Sequence, residues 1–326
     1  GARAVLTLLA DMSGDGIVGD NTLEGNEESL KAYDIVVQLD QLRFANRLSG
    51  RLADQKSVVN FREHSRDALA YAMADRIDQL AFLTLAGIAY TNKNNGALRP
   101  VLNSGQNLGD LAFGGDITAP TSNRHKRING DDLAAGSVTS ITSSDTLKYK
   151  HIVQLKAFAK DNYIRGIRGA GNEEMFHFFV TPQVMADLKL DSDFLTNVRQ
   201  AANRGPDNQL FAGSSSLMVD GVMVHEFRHV FNTASATSGS SSNAGAAGYK
   251  GGANANVDYA SCLFCGAQSL AMADIGLPEI VEDSFDYGNQ NGISIGKIFG
   301  LKKPKYQSDY NGQVEDFGVV RLDVAF

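Results

Sequence analysis

The amino-acid sequence predicts an α+β fold, and three observations lead to that class. Strand-like and helix-like segments follow one another without a regular β-α-β order. One helical pattern, from about Leu52 to Ala86, is the longest in the chain. No internal repeat is visible. The elements are therefore expected to form one mixed architecture rather than a regular series.

The first segment predicts a two-stranded arm. Residues 3–10 are typical of a strand, and apolar and polar residues alternate from Tyr33 to Asp40 with one interruption at Val36. Between them, Ser13 to Ser29 is rich in Gly, Asp, Asn and Glu, the composition of a loop. An isolated hairpin is only marginally stable in water. The arm must therefore pack on its own domain or on a neighbouring subunit, and the sequence leaves both possibilities open.

The long helical pattern follows the arm. Its apolar residues recur at helical spacing with charged residues between them, and Gly87 supplies a stop signal. About 35 residues at roughly 1.5 Å each would form a rod of roughly 50 Å. A helix of that length is typical of a spine in an assembly, and a helix of a bundle is the alternative.

The rest of the chain predicts mixed elements. Residues 91–145 look irregular, and Asn232 to Asn256 has the Gly/Ser/Ala/Asn-rich composition of a flexible excursion. Asp220-Gly221 between two apolar triplets predicts a tight β-hairpin. The other expected elements are a helix capped by Ser144 or Asp145 and running to about Lys160, a strand at Phe176–Val180, a helix opened by Thr181-Pro182, helices at about Phe194–Ala202 and Asp258–Asp274, and a strand at Val319–Val324.

Composition limits the functional class. The chain has 326 residues, 43% of them hydrophobic, with a formal charge of -7 and a pI of about 5.4. That balance argues against a protein whose main task is to neutralise phosphates. No run approaches the ~20 apolar residues that a transmembrane helix needs, and the first residues lack a signal-peptide pattern. With only two cysteines, a soluble intracellular product is expected.

One short motif matches a zinc-metallopeptidase pattern. In such enzymes the two histidines of H-E-x-x-H lie on one helical face and share a metal, as His225, Glu226 and His229 would have to do here. The context instead predicts a strand, since the motif directly follows the Asp220-Gly221 turn and two valines. On a strand, residues four apart are separated by roughly 13 Å, too far to bind one ion.

The remaining chemical signals also favour structural roles. Cys262 and Cys265 form a lone C-x-x-C without a second pair, which favours two small apolar side chains buried on a helix over a zinc or redox site. The basic clusters Arg124-His125-Lys126-Arg127 and Lys302-Lys303-Pro304-Lys305 favour solvated surface over a nucleic-acid interface. The sequence therefore predicts no catalytic, cofactor-binding or metal-binding residues, and no cofactor.

Three segments together resemble a known family. They are Gly14 to Leu30, followed by the strand and the long helix ending at Leu85-Ala86-Gly87; Phe178 to Pro182, continuing to Asp187-Leu188-Lys189 and Leu210 to Gly213; and Cys265 to Ala271, after the strand Val222 to Arg228. In order and spacing they resemble the major capsid proteins of N-four-like short-tailed bacteriophages, which are similar in architecture to the Hong Kong ninety-seven (Johnson) fold. The resemblance extends from about Ser13 to Ala271.

The resemblance implies a role for each part of the chain. Residues 1–50 would form the extended E-loop hairpin that lies across an adjacent subunit, and residues 51–125 the peripheral domain with its spine helix. Residues 126–257 would form mainly the axial domain, and residues 258–326 would return to the peripheral domain. The expected function is that of a structural protein, not an enzyme. It would assemble into hexamers and pentamers of an icosahedral head enclosing double-stranded DNA.

The resemblance also implies partners and location. These are other copies of the chain, a portal, scaffold or decoration proteins and non-specifically packaged DNA, in a virion shell made in the bacterial cytoplasm, with no membrane. Family members carry more sequence upstream, so an N-terminal arm is expected to be missing here. The motif beginning at His225 lies where the family has a strand, and Cys265 lies where it has an apolar residue. The alternatives are a zinc metallopeptidase and, from the Gly/Ser/Asn-rich segment, a fibre or adhesion protein.

Overall fold

A computed structural model describes residues 2–9, 12, 14–57, 60–102, 105–169, 173–201, 216–308 and 312–326. It confirms the α+β class. The strands are β1 (Arg3–Leu9), β2 (Ala32–Gln38), β3 (Asp40–Arg47), β4 (His125–Asn129), β5 (Asp132–Ala135), β6 (Ile167–Arg168), β7 (Glu174–Val180), β8 (Ser216–Val219), β9 (Val222–Glu226), β10 (Tyr259–Cys265), β11 (Ala271–Phe285), β12 (Gln290–Lys302), β13 (Lys305–Gln307), β14 (Val314–Asp316) and β15 (Val319–Ala325). The helices are α1 (Arg51–Lys56), α2 (Phe61–Ala86), α3 (Tyr149–Asp161), α4 (Pro182–Leu190) and α5 (Ser192–Ala201).

A mixed central sheet organises the larger part of the molecule. Its strand order is β5-β4-β15-β10-β7-β9-β8, and β6 pairs with β7. Strand β10 is antiparallel to both of its neighbours, whereas the pairs β15–β4 and β7–β9 are parallel. Every residue of β10 and β15 is buried, because both faces of the sheet are covered.

The two faces of this sheet belong to different hydrophobic cores. On one face, Cys262 and Phe264 pack with the apolar residues of α3, α4 and α5. On the other face, Leu263 and Cys265 pack with α2 and with apolar residues of β12. Alternate residues of one strand therefore join two cores, as the pleat of a strand requires.

Helix α2 lies between the central sheet and a second sheet of order β11-β12-β3. It is shorter than the sequence predicted: the pattern from Leu52 to Ala86 is divided into the short α1 and the 26 residues of α2. Its buried residues include Leu69, Met73, Leu80 and Leu83. Gly87 ends it with φ of 68°, and a Cβ there would lie 2.5 Å from the carbonyl oxygen of Thr118, so only glycine fits this turn.

Several local predictions are confirmed. The Thr181 side chain accepts a hydrogen bond from the Val184 backbone N–H at the start of α4, with Pro182 in the first turn. Asp220 and Gly221 both have positive φ in the turn that joins β8 and β9. The strands expected at Phe176–Val180 and Val319–Val324 are present as β7 and β15.

Other local predictions were wrong. Residues 258–274 contain the strand β10 and the start of β11 instead of a helix, because a fully buried strand shows an unbroken apolar run without alternation. Helix α3 begins at Tyr149, and the Asp145 carboxylate accepts bonds from the backbone N–H groups of Gly130 and Thr142 instead of capping it. Ala202 and the segment Leu210 to Gly213 lie outside the described residues.

The Gly/Ser-rich segment 232–256 is also more ordered than predicted. It is an irregular loop held by backbone hydrogen bonds, including Thr233 N–H to the Tyr259 carbonyl and Ser235 N–H to the Asn95 carbonyl. Isolated bridges join Thr237 to Tyr249 and Gly251 to Val257. Its small residues permit close backbone approach, so the same composition serves a packed loop as well as a flexible one. Among the described helices, none combines the length and the apolar character needed to cross a membrane.

Candidate assembly surfaces

The β1–β2 arm is only half covered by its own chain. The two strands pair antiparallel, from Arg3 opposite Gln38 to Leu9 opposite Ala32. At its base, Ile35 and Val37 pack against Ala271 and Ala273 of β11. Farther along, Val5 and Leu9 are 59% and 60% exposed. Of the two possibilities that the sequence left open, the base of the arm packs on its own domain. Its outer apolar surface is not covered by any other part of the chain that the structure describes.

The tip of the arm, residues 14–31, extends beyond the strands. Hydrogen bonds within the tip include those from Gly14 N–H to Glu28 Oε2 and from Asn26 Nδ2 to the Thr22 carbonyl. Five carboxylates and one lysine give it a strongly acidic character. Its apolar side chains are exposed as well, and Val18 reaches 79%. The tip therefore presents apolar side chains among negative charges.

A second exposed apolar surface lies on the β11–β12 hairpin, which the sequence analysis missed. The two strands pair along most of their length, with an irregularity between Ile275 and Glu279. Strand β11 is an edge of its sheet, and Leu277 on it is 93% exposed. Large exposed apolar side chains and unpaired strand edges both mark surfaces that contact other protein chains. The period-2 pattern of Ile293, Ile295 and Phe299 was the sequence signal for this hairpin.

Of the H-E-x-x-H residues, His225 and Glu226 lie at the end of strand β9, as predicted, whereas His229 lies in the turn that follows the strand. His225 Nε2 lies 2.8 Å from Nδ1 of His177 on the neighbouring strand β7. His229 Nε2 instead lies 2.8 Å from Asp75 Oδ1 on α2. The two histidines therefore have different partners on different elements. The segment connects the end of β9 to helix α2, since Phe227, which lies between the two histidines, also stacks on Phe82 of α2 with the ring centroids 5.0 Å apart.

The surroundings of the His225 imidazole disfavour its charged form. Burial first, and then the neighbouring His177, lowers the pKa of the His225 imidazole below its ordinary value. Within the described residues, no group of three or more His, Cys, Asp or Glu side chains is arranged to hold a metal ion. Neither this geometry nor the comparisons below support a metallopeptidase.

Both cysteines are buried and free, as predicted, but they lie on strand β10 and not on a helix. They are three residues apart, so Cys262 belongs to one core and Cys265 to the other. Burial raises the pKa of both thiols, that of Cys265 to about 12. A buried thiol with a raised pKa has little thiolate character and behaves as a small apolar side chain.

The basic clusters are not solvated patches, which corrects the sequence interpretation. Arg124 is buried and forms an ion pair of 3.1 Å with the buried Glu315. Lys303 is buried 3.0 Å from the equally buried Asp316. Burial lowers the pKa of Lys303 while Asp316 raises it. Sequence reasoning missed this because the acidic partners lie more than ten residues away along the chain.

A further buried ionic group centres on Asp323 of β15. Its carboxylate accepts hydrogen bonds from Arg321 Nε and Ser261 Oγ, both at 2.8 Å, and lies 2.6 Å from His125 Nε2. Arg321 also donates to the Ala86 carbonyl at the end of α2. Burial alone would raise the pKa of the Asp323 carboxyl, but Arg321 and His125 bring it below its ordinary value. The group links β4, β10, β15 and α2.

The histidines, cysteines and buried charged residues described above thus make contacts within the fold. The surfaces that stay exposed are the apolar ones of the arm and of the β11–β12 hairpin and the acidic tip of the arm. The model of a family described as phage capsid protein matches residues 1–326. The chain belongs to the phage capsid protein family.

Similar proteins agree with this membership. The chain is 53% identical over 329 residues to the major capsid protein of Pseudomonas phage KPP25, covering all of this chain and 84% of the relative. Among solved structures, the capsid of Ralstonia phage GP4 matches with a TM-score of 0.74 and 24% identity over 100% of this chain and 84% of that one. The capsid of cyanophage Pam1 matches with a TM-score of 0.73 and 18% identity over 100% and 85%.

These findings establish what the capsid protein is. It is a structural major capsid protein of a phage, a component of the virion and not an enzyme. The fold matches known phage capsid structures over the whole chain, and the family model and the 53% identical relative confirm that the chain is a phage capsid protein, as its resemblance implied. In the capsid protein, His125, His229 and the two cysteines are engaged in contacts within the fold.

Proposed function

We propose that this capsid protein assembles into hexamers and pentamers of an icosahedral phage head that encloses double-stranded DNA. The observation that carries the proposal is the half-covered β1–β2 arm, whose outer apolar residues, such as Val5 and Leu9, are exposed in the single chain. Such a surface is stabilised when another chain covers it. Repeated head-to-tail contacts of this kind close into rings. The similarity to solved phage capsids supports this geometry.

Each region has a proposed place in the shell. Residues 1–50 form the E-loop region: their β1–β2 arm lies across an adjacent subunit, while β3 at the end of the region pairs with β12 of the same chain. Residues 51–125, with α2 as the spine helix, begin the peripheral domain, and residues 126–257 form mainly the axial domain at the capsomer centre. Residues 258–326 return to the peripheral domain through β11 and β12. Strands β10 and β15 of that last segment pair with β7 and β4, so the segment also completes the central sheet.

The proposed partners follow from this role. The chief partner is another copy of the chain. A portal, scaffold or decoration proteins, and DNA bound without sequence preference complete the list. The formal charge of -7 would limit adhesion of the shell wall to packaged DNA. Synthesis would take place in the cytoplasm of the host bacterium, before the shell forms.

The test is particle formation by an arm variant. Val5→Ser with Leu9→Ser replaces two exposed apolar side chains and leaves the buried Ile35 and Val37 in place. We expect the variant to fold, and its yield of assembled particles in electron micrographs to fall at least tenfold. Met218→Ser, an exposed apolar residue of strand β8, is the matched control. Unchanged particle yield in the arm variant would remove the arm from the assembly mechanism.

A further inference from the structure

Two imidazoles face each other on the central sheet. His177 Nδ1 on β7 lies 2.8 Å from His225 Nε2 on the neighbouring strand β9. The ring planes differ by only 12°, and the ring centroids are 5.1 Å apart. At so short a nitrogen–nitrogen distance, the centroids can be this far apart only when both nitrogens lie on the line between the rings. The two rings therefore meet edge to edge, and the facing nitrogen of each ring is directed at the other.

The surroundings of this pair favour neutral rings. Burial and then His177 lower the pKa of His225, and among the described residues no carboxylate contributes to that shift. The next residue, Glu226, lies on the opposite face of its strand, where its carboxylate is 4.0 Å from Lys189 Nζ. Neutral imidazole is the form that binds a metal ion. The pair is therefore in the protonation state that a metal ligand needs.

Methionines flank the two imidazoles. Met223 of β9 is directly opposite His177 in the strand register, and Met218 of β8 is directly opposite Met223. Side chains directly opposite each other on paired strands share one face of the sheet. Met175 precedes His177 by two residues on β7 and lies on the same face. Three of the seven methionines of the chain thus share this face with the two histidines, and thioethers are soft metal ligands.

The geometry discriminates between kinds of metal ion. Two nitrogens that oppose each other suit an ion with two ligands on opposite sides, whereas Zn²⁺ needs four ligands in a tetrahedron. Soft ions such as Cu(I) favour thioethers, and one charge costs less than two among neutral ligands. Within the described residues, no third His, Cys, Asp or Glu side chain joins the pair in a metal-binding group. An ion between the rings would move them roughly 1.2 Å apart, since a metal–nitrogen bond is about 2 Å long.

We propose that His177 and His225 bind one soft monovalent metal ion, Cu(I) or its analogue Ag(I), between their facing nitrogens, with the thioether of Met223 as the adjacent soft ligand. The ion keeps its oxidation state. The ring that donates the hydrogen bond moves its proton to its other nitrogen, so both rings stay neutral and each supplies one lone pair. All three side chains are half-buried, so an ion can reach them from solvent. A bound ion would join β7 to β9 and stabilise the folded chain.

Titration of the unassembled protein with Cu(I) tests the site. The ion is added without oxygen, in competition with the chelator bicinchoninate, and we expect one Cu(I) per chain. His177→Phe and His225→Phe each keep a flat ring on the same face but remove one facing nitrogen, and each should weaken binding by roughly tenfold or more. Met223→Leu keeps the apolar volume and removes the sulfur, and should weaken binding by roughly threefold or more.

Matched controls remove the same side-chain types elsewhere. His64→Phe on α2 and Met272→Leu on β11 are at exposed positions and should leave the affinity within about twofold of the unmodified chain. Thermal melting without metal checks that each variant folds. X-ray absorption at the copper edge needs no variant: the complex of the unmodified chain should show both nitrogen and sulfur neighbours of the metal. Absence of nitrogen neighbours would overturn the proposal even if the histidine variants did not fold.

The outcomes divide clearly. Stoichiometric Cu(I) binding that both histidine variants lose and Met223→Leu weakens supports the proposal. Absence of stoichiometric binding overturns it, as does binding that survives both histidine variants, which is the result expected if the buried thiols of Cys262 and Cys265 bound the ion instead. Tighter binding of Zn²⁺ than of Cu(I), with no effect of Met223→Leu, also overturns it. Particle assembly does not enter the test, so each result leaves the proposed function as it stands.

Discussion

The central sheet and the β1–β2 arm differ in how far the chain itself covers their apolar faces. Both contain strands with apolar side chains. In the central sheet, the chain itself covers both faces of β10 and β15. In the arm, it covers one face of the base and leaves Val5 and Leu9 exposed. The comparison shows that folding alone completes the central sheet, whereas we propose that a second molecule completes the arm.

The largest effect on stability is expected in the central sheet. Phe264→Ala on β10 removes a fully buried ring that stacks on Phe176 at 5.0 Å. It should lower the free energy of unfolding by about 4 kcal/mol, from lost burial and the remaining cavity. Denaturant unfolding of the unassembled chain measures the change. A loss below about 1 kcal/mol would show that the sheet does not depend on its own core.

The next largest effect on the free energy of unfolding is expected in the buried ionic group around Asp323. Asp323→Asn leaves Arg321 buried without its charged partner and should cost about 3 kcal/mol at neutral pH. The pKa of Asp323 is lowered in the folded chain, so its contribution is present above the ordinary value of 3.8 and is lost as the pH falls through the lower folded value. The stability difference between the two proteins, measured in urea, should therefore shrink on acidification below that range. A difference that grows in acid would contradict this sign.

A smaller effect is expected at the start of α4. Thr181→Ala removes the side-chain oxygen that accepts the Val184 N–H and should cost about 1 kcal/mol. Thr22→Ala, in the exposed tip of the arm, is the comparison and should change the free energy of unfolding by less than about 0.5 kcal/mol. Thermal melting of both variants measures the two losses of stability. Equal losses would contradict the expected difference between the central region and the arm.

The smallest effect on the single chain should come from the arm surface. Val5→Ser with Leu9→Ser should change the free energy of unfolding of the unassembled protein by about 0.5 kcal/mol or less, since both side chains already contact solvent. The same variant is expected to lose assembly. A large loss of stability in the unassembled chain would mean that the arm folds back on its own domain in solution.

The sequence predicts local features well where a specific residue has a specific task. Thr181 and Pro182 begin a helix, and Gly87 ends one, for reasons of hydrogen bonding and backbone conformation that neighbouring residues decide. Asp220-Gly221 is similar, because a two-residue turn needs residues that tolerate positive φ. Strand β2 of the arm follows from a period-2 pattern, since one side of it faces solvent.

The sequence predictions that were wrong share one physical cause, which is contact between residues far apart in the sequence. Strand β10 has no alternation because two cores cover it, so its pattern also fits a buried helix. Arg124 and Lys303 look like surface residues until Glu315 and Asp316, distant in the sequence, form ion pairs with them in the interior.

Strand β15 has a consequence for the order of events during synthesis. It is the last strand in the chain, yet it lies between β10 and β4 near the middle of the central sheet. The ribosome therefore releases the arm before β15, which completes the pairing of the central sheet, and such long-range pairings form slowly. A truncated polypeptide lacking those seven residues would have no closed central sheet, which would keep incomplete copies out of a growing head.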